Sequence, residues 1–246
     1  MIMAVMLTSI RIGAIFLFTP LFAIVNVPVK IRVLFILALS FMMVMLLNQH
    51  APMINISVND VIALSIYEAL FGLTLAFGVF TAFAAFSLGG RILDFQMGFG
   101  VASLVDPVTS NQEPLLGTVL NIMAVVIFFI ADGHHLLFKG IAYSFEMFPL
   151  GTLPDNLSVA HIIAQFGIIF TYGITLVAPA IFTLFLLDVV MAFSARTMPQ
   201  VNMFILGIPL KILIGLSVLA VTIGHMVPLL HDIYMSIFTF WESVLS

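Results

Sequence analysis

Long apolar runs, separated by short polar or proline-marked breaks, follow one another along almost the whole chain. An α-helix rises about 1.5 Å per residue and a bilayer's hydrocarbon core is about 30 Å thick, so a run of about 20 apolar residues reads as a membrane-length helix. The pattern predicts about six of them, at Ile2–Val25, Ile31–Leu47, Val61–Leu88, Thr118–Ala131, Ile162–Ala192 and Met203–Leu229. The fourth is short, and the third and fifth are long, which implies helices that bend, tilt or lie partly outside lipid. A further element, Leu230–Leu245, is amphipathic, with His231, Asp232 and Glu242 set among Phe238, Phe240 and Trp241. Such a helix suits an interface. The first run has no basic n-region and no small-residue cleavage site, so it reads as a retained membrane segment.

Proline and Asn/Asp clusters mark the breaks: NVPVK (Asn26–Lys30), NQHAPMINISVND (Asn48–Asp60), FPLGTLPDN (Phe148–Asn156) and ARTMPQVN (Ala195–Asn202). Between the third and fourth runs lies GGRILDFQMGFGVASLVDPVTSNQEP, Gly89 to Pro114, unusually polar and rich in glycine. Lys30, Arg32, Arg91 and Arg196 fall in odd-numbered connections and Lys139 in an even one. The positive-inside rule then places the odd connections in the cytoplasm and both termini outside.

Composition sharpens the class. The chain is 63% hydrophobic and 7% charged, with a mean hydropathy of +1.30. A soluble domain carries about 25% charged residues. This chain must therefore sit in membrane lipid or be wrapped by apolar subunits. Its net charge of -4 argues against nucleic acid as a partner. With no cysteine there are no disulfides, thiolate metal sites or cysteine nucleophiles.

Charges inside apolar runs are informative because each costs about 2.5–3.5 kcal/mol at mid-membrane on insertion scales. Asp188 and Lys211 are equidistant in sequence from the Pro199–Gln200 turn, so an antiparallel hairpin brings them to one depth, where they are expected to pair. Arg11 and Glu68 lie near the starts of two helices running the same way and are expected to meet as well. A packing role for these structural charges is favoured over a proton or substrate relay.

Catalytic signals are weak. ADGHHLLF (Ala131–Phe138) contains an Asp and two histidines, but adjacent helical positions point about 100° apart, and the zinc helix motif needs histidines four apart with a Glu between. No metal site is expected there. GFGVAS (Gly98–Ser103) has serine where a dinucleotide fingerprint needs its third glycine, and no βαβ context surrounds it. No GxSxG elbow and no P-loop occur. Catalytic residues and cofactors are expected to be none. Most of the 15 methionines and 25 phenylalanines read as core or lipid-facing filler, although Met is adaptable enough to line a deformable seal.

Three groups of residues, taken in order, resemble the FliR family of flagellar export-gate proteins, homologous to the SctT proteins of injectisomes. The first is Gly90-x3-Asp94-x-Gln96-Met97-Gly98 with Asp106-Pro107. The second is Asp132-Gly133-His134 with Ser144-Phe145 and Pro149. The third runs from Pro179 through Asp188 to Arg196-x2-Pro199-Gln200-x-Asn202-x-Phe204-x2-Gly207-x-Pro209-x-Lys211. Arg11, Pro20, Pro28 and Arg32 fit the family's opening pattern. Arg91 and Phe95 depart from it, and Val108–Gln112 falls in a segment where the family is variable. Gln96-Met97-Gly98 resembles the flagellar branch more than the injectisome one.

The resemblance implies an all-α, multi-pass integral membrane protein built of helical hairpins. Residues 1–246 would form a single membrane domain, with a FliP-like unit at 1–157 and a FliQ-like hairpin and C-terminal amphipathic helix at 158–246. The implied function is non-enzymatic: a subunit of the type III protein-export gate in the bacterial inner membrane, at the flagellar basal body. Its implied partners are FliP-like, FliQ-like and FlhB-like proteins and unfolded export substrates. The loop at about 89–117 would project into the channel as a plug, through Gly98, Phe99, Gly100, Val101, Leu104, Val105, Asp106 and Pro107. Arg196, Pro199, Gln200 and Asn202 would form a cytoplasmic turn contacting a partner. The competing readings are a secondary transporter for a small solute, an intramembrane enzyme using Asp132 and His134, and the injectisome counterpart of the gate subunit. Absence of two similar halves weakens the transporter reading.

Overall fold

A computed structural model of the chain describes residues 1–24, 27–47, 57–99, 114–152, 159–198, 200 and 203–245. These form helices α1 (Ile2–Phe18), α2 (Leu21–Ile24), α3 (Val29–Leu46), α4 (Val58–Met97), α5 (Leu115–Ile130), α6 (Gly133–Met147), α7 (Val159–Thr197), α8 (Met203–Ile223) and α9 (Val227–Leu245), with no strand among the described residues. Among the described residues, four helices are long and apolar enough to cross a membrane: α3, α4, α7 and α8. A fifth span arises if α5 and α6, bent by 73° at their break, are taken together. The protein is an all-α, multi-pass integral membrane protein.

The differences from the expected runs have physical causes. The first run divides at Thr19-Pro20. Thr19 takes the extended conformation (φ -85, ψ 145) that a following proline favours, and α1 stops at 17 residues. The third run does not end at Leu88. Helix α4 continues through Gly89 and Gly90 to Met97, 40 residues in all, against about 20 for a single crossing. Glycine costs about 1 kcal/mol in a helix interior, but here its missing side chain admits other backbones, as described below. Helix α7 likewise extends the fifth run to 39 residues and carries Pro179 within it. Helix α6 was not expected. Its His134, His135, Lys139 and Glu146 break the apolar run, yet Leu137, Ile141 and Phe145, four apart, are buried along one stripe.

The helices group into two compact units. The first comprises Met1–Ala82, Val125–Phe166 and Tyr234–Ser246, and the second Phe83–Ala124 and Gly167–Ile233.

In the first unit, α1 lies against α3. The rings of Phe16, Phe22 and Phe35 meet at centroid distances of 5.4 to 5.7 Å. Arg32 turns back to donate from Nε to the Val27 carbonyl (2.8 Å) and from Nη2 to the Phe22 carbonyl (2.9 Å), fixing the entry to α3. Helix α9 belongs to this unit from Tyr234 onward, and its Phe240 and Trp241 are buried rather than interfacial. Trp241 donates from Nε1 to the Leu75 carbonyl at 2.9 Å. Gly78 and Gly140 leave room for it: an added Cβ would lie 3.1 Å from Nε1 at Gly78 and 2.4 Å from Cζ3 at Gly140. Gln165 donates to the Thr81 hydroxyl (2.7 Å), which donates to the Gly78 carbonyl (2.8 Å).

In the second unit, α4 and α7 touch backbone to backbone. A Cβ on Gly89 would sit 2.9 Å from the Gly173 carbonyl, and one on Gly173 would sit 2.9 Å from the Ala85 carbonyl. Small residues at a helix crossing allow this approach, the usual packing solution inside membranes.

Candidate functional site

Two polar junctions stand out, one in each unit. The first is built on Arg11 of α1. Its side chain is 0% exposed and that of Glu68 on α4 is 1% exposed. Nε donates to Oε2 at 2.6 Å and Nη2 to Oε1 at 3.1 Å, the two-pronged geometry that suits a guanidinium to a carboxylate. Nη1 donates to the carbonyls of Ser144 and Phe148, both at 3.1 Å, at the end of α6. Glu68 Oε1 also accepts the Gly151 N–H at 2.8 Å. Gly151 has φ 84, the third position of a turn closed by Thr152 N–H to the Pro149 carbonyl at 3.1 Å. The guanidinium carbon lies 4.7 Å from the Phe71 centroid and 4.3 Å from that of Phe145. One ion pair thus ties α1, α4, the end of α6 and the turn after it.

The second junction is the foot of the polar loop. Asp94 is buried in the last turn of α4 and its carboxylate reaches across to the start of α5. It accepts the Leu116 N–H (3.0 and 3.1 Å to its two oxygens) and the Gly117 N–H (3.2 Å). A helix start leaves such N–H groups without intrahelical partners, and a negative charge there is further favoured by the helix dipole. Beside the cap, a Cβ on Gly90 would fall 2.3 Å from the Gly117 Cα, so the helices cross with no side chain between them. Ser87 Oγ and Asn121 Nδ2, 2.8 Å apart, continue the contact. Helix α4 then stops at Gly98, with φ 86. The Phe99 N–H bonds the Asp94 carbonyl (3.0 Å) and the Gly98 N–H the Phe95 carbonyl (3.2 Å). That pair of bonds is the glycine-terminated helix ending known as the Schellman motif.

The expected plug residues fall mostly past this point. Gly98 and Phe99 are half-buried. Gly100, Val101, Leu104, Val105, Asp106 and Pro107 lie outside the described residues, as do Pro199 and Asn202 of the expected cytoplasmic turn. Of the segment 89–117, Gly89–Met97 is helical, and Leu115–Gly117 is the first turn of α5. Arg196, in the last turn of α7, and Gln200 are exposed.

Both expected charge pairs are brought together. Lys211 Nζ lies 2.5 Å from Asp188 Oδ1, with side chains 21% and 38% exposed. An added Cβ at Gly207 would meet Met191 Sδ at 3.0 Å, the same antiparallel register one turn nearer the bend. Asp132 and His135 also meet, Oδ1 to Nδ1 at 3.2 Å. The His134 and His135 rings are 4.1 Å apart, closer than their adjacent helical positions implied. Sequence reasoning missed the partners that Arg11 and Glu68 take from the main chain, since a carbonyl or N–H leaves no trace in residue type. Asp94 stands out in the sequence only within the family pattern Gly90-x3-Asp94-x-Gln96-Met97-Gly98; its spacing of 22 residues from Leu116 matches no local capping pattern.

Taken together, the long apolar helices, glycine crossings and paired buried charges define a multi-pass membrane protein. The chain matches the family described as bacterial export proteins, family 1, over residues 2–237, and it belongs to that family. It is 34% identical to the flagellar biosynthetic protein FliR of Bacillus subtilis (strain 168) over 235 residues, 94% of this chain and 90% of that one. It is 27% identical to FliR of Escherichia coli (strain K12), covering 96% and 90% of the two chains. It is also 25% identical to the surface presentation of antigens protein SpaR of Shigella sonnei, covering 85% and 80%.

Proposed function

We propose that this protein is a non-enzymatic subunit of the flagellar type III export gate. It helps form and close the membrane channel for unfolded substrates, together with FliP-like and FliQ-like subunits and an FlhB-like protein beside them. The gate lies in the bacterial inner membrane at the flagellar basal body. The observation that carries this reading is family membership over residues 2–237 combined with poorly covered helices. The most apolar windows of α7 and α8 are only 22% and 17% buried within the chain. Such faces need lipid or sister subunits. The higher identity to the Bacillus subtilis FliR than to SpaR favours the flagellar branch over the injectisome one.

In this reading the segment that leaves α4 at Gly98 and returns at Pro114 is the plug. Its two ends are fastened together by Asp94 and by the Gly90–Gly117 crossing. A plug needs fixed ends if its middle is to obstruct a channel reproducibly. The turn carrying Arg196 and Gln200 is the contact for a cytoplasmic partner.

The test is co-purification followed by permeability. A gate subunit is recovered with two other small hydrophobic proteins, and deleting Gly100–Ser110 makes cells leak ions or dyes while assembly persists. A chain that purifies well alone and carries a small solute across liposomes overturns the reading. Normal assembly with unchanged permeability overturns the plug.

A further inference from the structure

The break between α5 and α6 brings together three metal-ligating side chains that the gate reading does not use. Asp132, His134 and His135 each offer a ligand atom, and these atoms all lie within 4.8 Å of one another. The backbone prepares the group. Asp132 adopts φ 55, the left-handed region that few residues other than glycine enter. It occupies the cap position of α6 but makes no side-chain cap bond. An aspartate there ordinarily gives its carboxylate to the free N–H groups of the first turn. Here the carboxylate faces His135 Nδ1 at 3.2 Å instead.

His134 supplies a separate observation. Its Nδ1 is shielded from solvent and has no hydrogen-bond partner. A buried ring nitrogen without a partner is uncommon. The ring is wedged between His135 at 4.1 Å and Phe129 at 5.2 Å, so it is held near the cluster by packing and not by a hydrogen bond to that nitrogen. The Asp132 and His135 side chains are 74% and 66% exposed, which leaves an ion an open approach.

We propose that Asp132, His134 and His135 form a binding site for one divalent transition-metal ion of the zinc class. Two imidazoles and a carboxylate suit such an ion, where calcium or magnesium takes all-oxygen sets. Three protein ligands leave a fourth position for water or a donor from another subunit. The carboxylate's full negative charge outweighs the partial positive charge of the helix start. Because the ligands come from the break residue and the first turn of α6, a bound ion fixes the left-handed turn and with it the bend of 73°.

The experiment uses the full chain in detergent micelles, carrying a histidine-free affinity tag and stripped of metal by chelation. Zn2+ binding is followed by equilibrium dialysis, and Co2+ binding by its visible d–d absorption. The expected result is one ion per chain, with a Co2+ spectrum marking imidazole ligation. His135→Gln should weaken binding at least tenfold, and Asp132→Asn combined with His134→Gln and His135→Gln should abolish it. Circular dichroism and gel filtration of each variant establish that the helices persist. Binding unchanged in the triple variant, or lost only when His161, His225 or His231 is replaced, overturns the proposal. So does the absence of stoichiometric binding in a well-folded parent chain.

Discussion

Asp94 caps the first turn of α5 from 22 residues back along the chain, its two carboxylate oxygens lying 3.0 and 3.1 Å from the Leu116 N–H. The helix that Asp94 ends and the helix that it starts are thereby joined by one side chain. Asp94→Ala leaves the Leu116 and Gly117 N–H groups without their partner in a buried setting. Loss of such a cap costs about 0.5–2 kcal/mol, and burial moves the expectation toward the upper end. Asp94→Asn keeps one acceptor oxygen and should lose clearly less. Thermal unfolding of the full chain in micelles, compared across the two variants, is the check; equal losses would mean that charge rather than capping matters.

The Arg11 junction predicts a different pattern. Arg11→Met leaves Glu68 buried and uncompensated, which costs about 3–5 kcal/mol. Adding Glu68→Leu removes the stranded charge and should recover a large part of that loss. Recovery stays incomplete, because the Gly151 N–H and the Ser144 and Phe148 carbonyls also lose a partner, and an unsatisfied buried group costs about 1–3 kcal/mol. The four-variant cycle of unfolding free energies measures this. Additive losses would show that the two side chains stabilise the fold independently.

The sequence disclosed more of this fold than of its junctions, for reasons visible in particular residues. The α7–α8 register was legible because two charges equidistant from one turn can hardly avoid each other in a hairpin. Helix α4's passage through Gly89 and Gly90 was not, since glycine's local preference opposes a helix. The gain comes from Gly117 and Gly173, distant in sequence. Helix α6 was hidden by its charged face, and Trp241 by an amphipathic pattern that fits burial and an interface equally well. The family resemblance, by contrast, rested on ordered side-chain identities across the chain, which survive even where local structure is ambiguous.

The Asp188–Lys211 contact is only partly shielded, so in water it would be worth about 0–1 kcal/mol. Its consequence shows best by reversal. Asp188→Lys places two cations at one depth and should reduce the amount of folded protein in membranes. Asp188→Lys with Lys211→Asp restores the attraction and should return that amount to near the parent level. Quantitative immunoblotting of membrane fractions reads the result. A double variant no better than the single would assign Asp188 a partner on another chain.

Gly140 and Trp241 should show coupling of the opposite kind. A methyl on Gly140 would lie 2.4 Å from Cζ3 and 2.5 Å from Cε3 of the indole, both atoms of its six-membered ring. Trp241 is 2% exposed and is held by its bond to the Leu75 carbonyl, so it cannot swing aside without losing that bond. Gly140→Ala alone therefore overpacks the site, at about 1–3 kcal/mol. Trp241→Phe alone forfeits the indole N–H bond, worth about 1 kcal/mol, together with part of the buried ring. The smaller ring opens space where the methyl would go. Combining the two substitutions should then cost less than the sum of the single losses, by about 0.5–3 kcal/mol for residues in direct contact. Strict additivity in the unfolding free energies would mean that α6 and α9 do not meet at this pair.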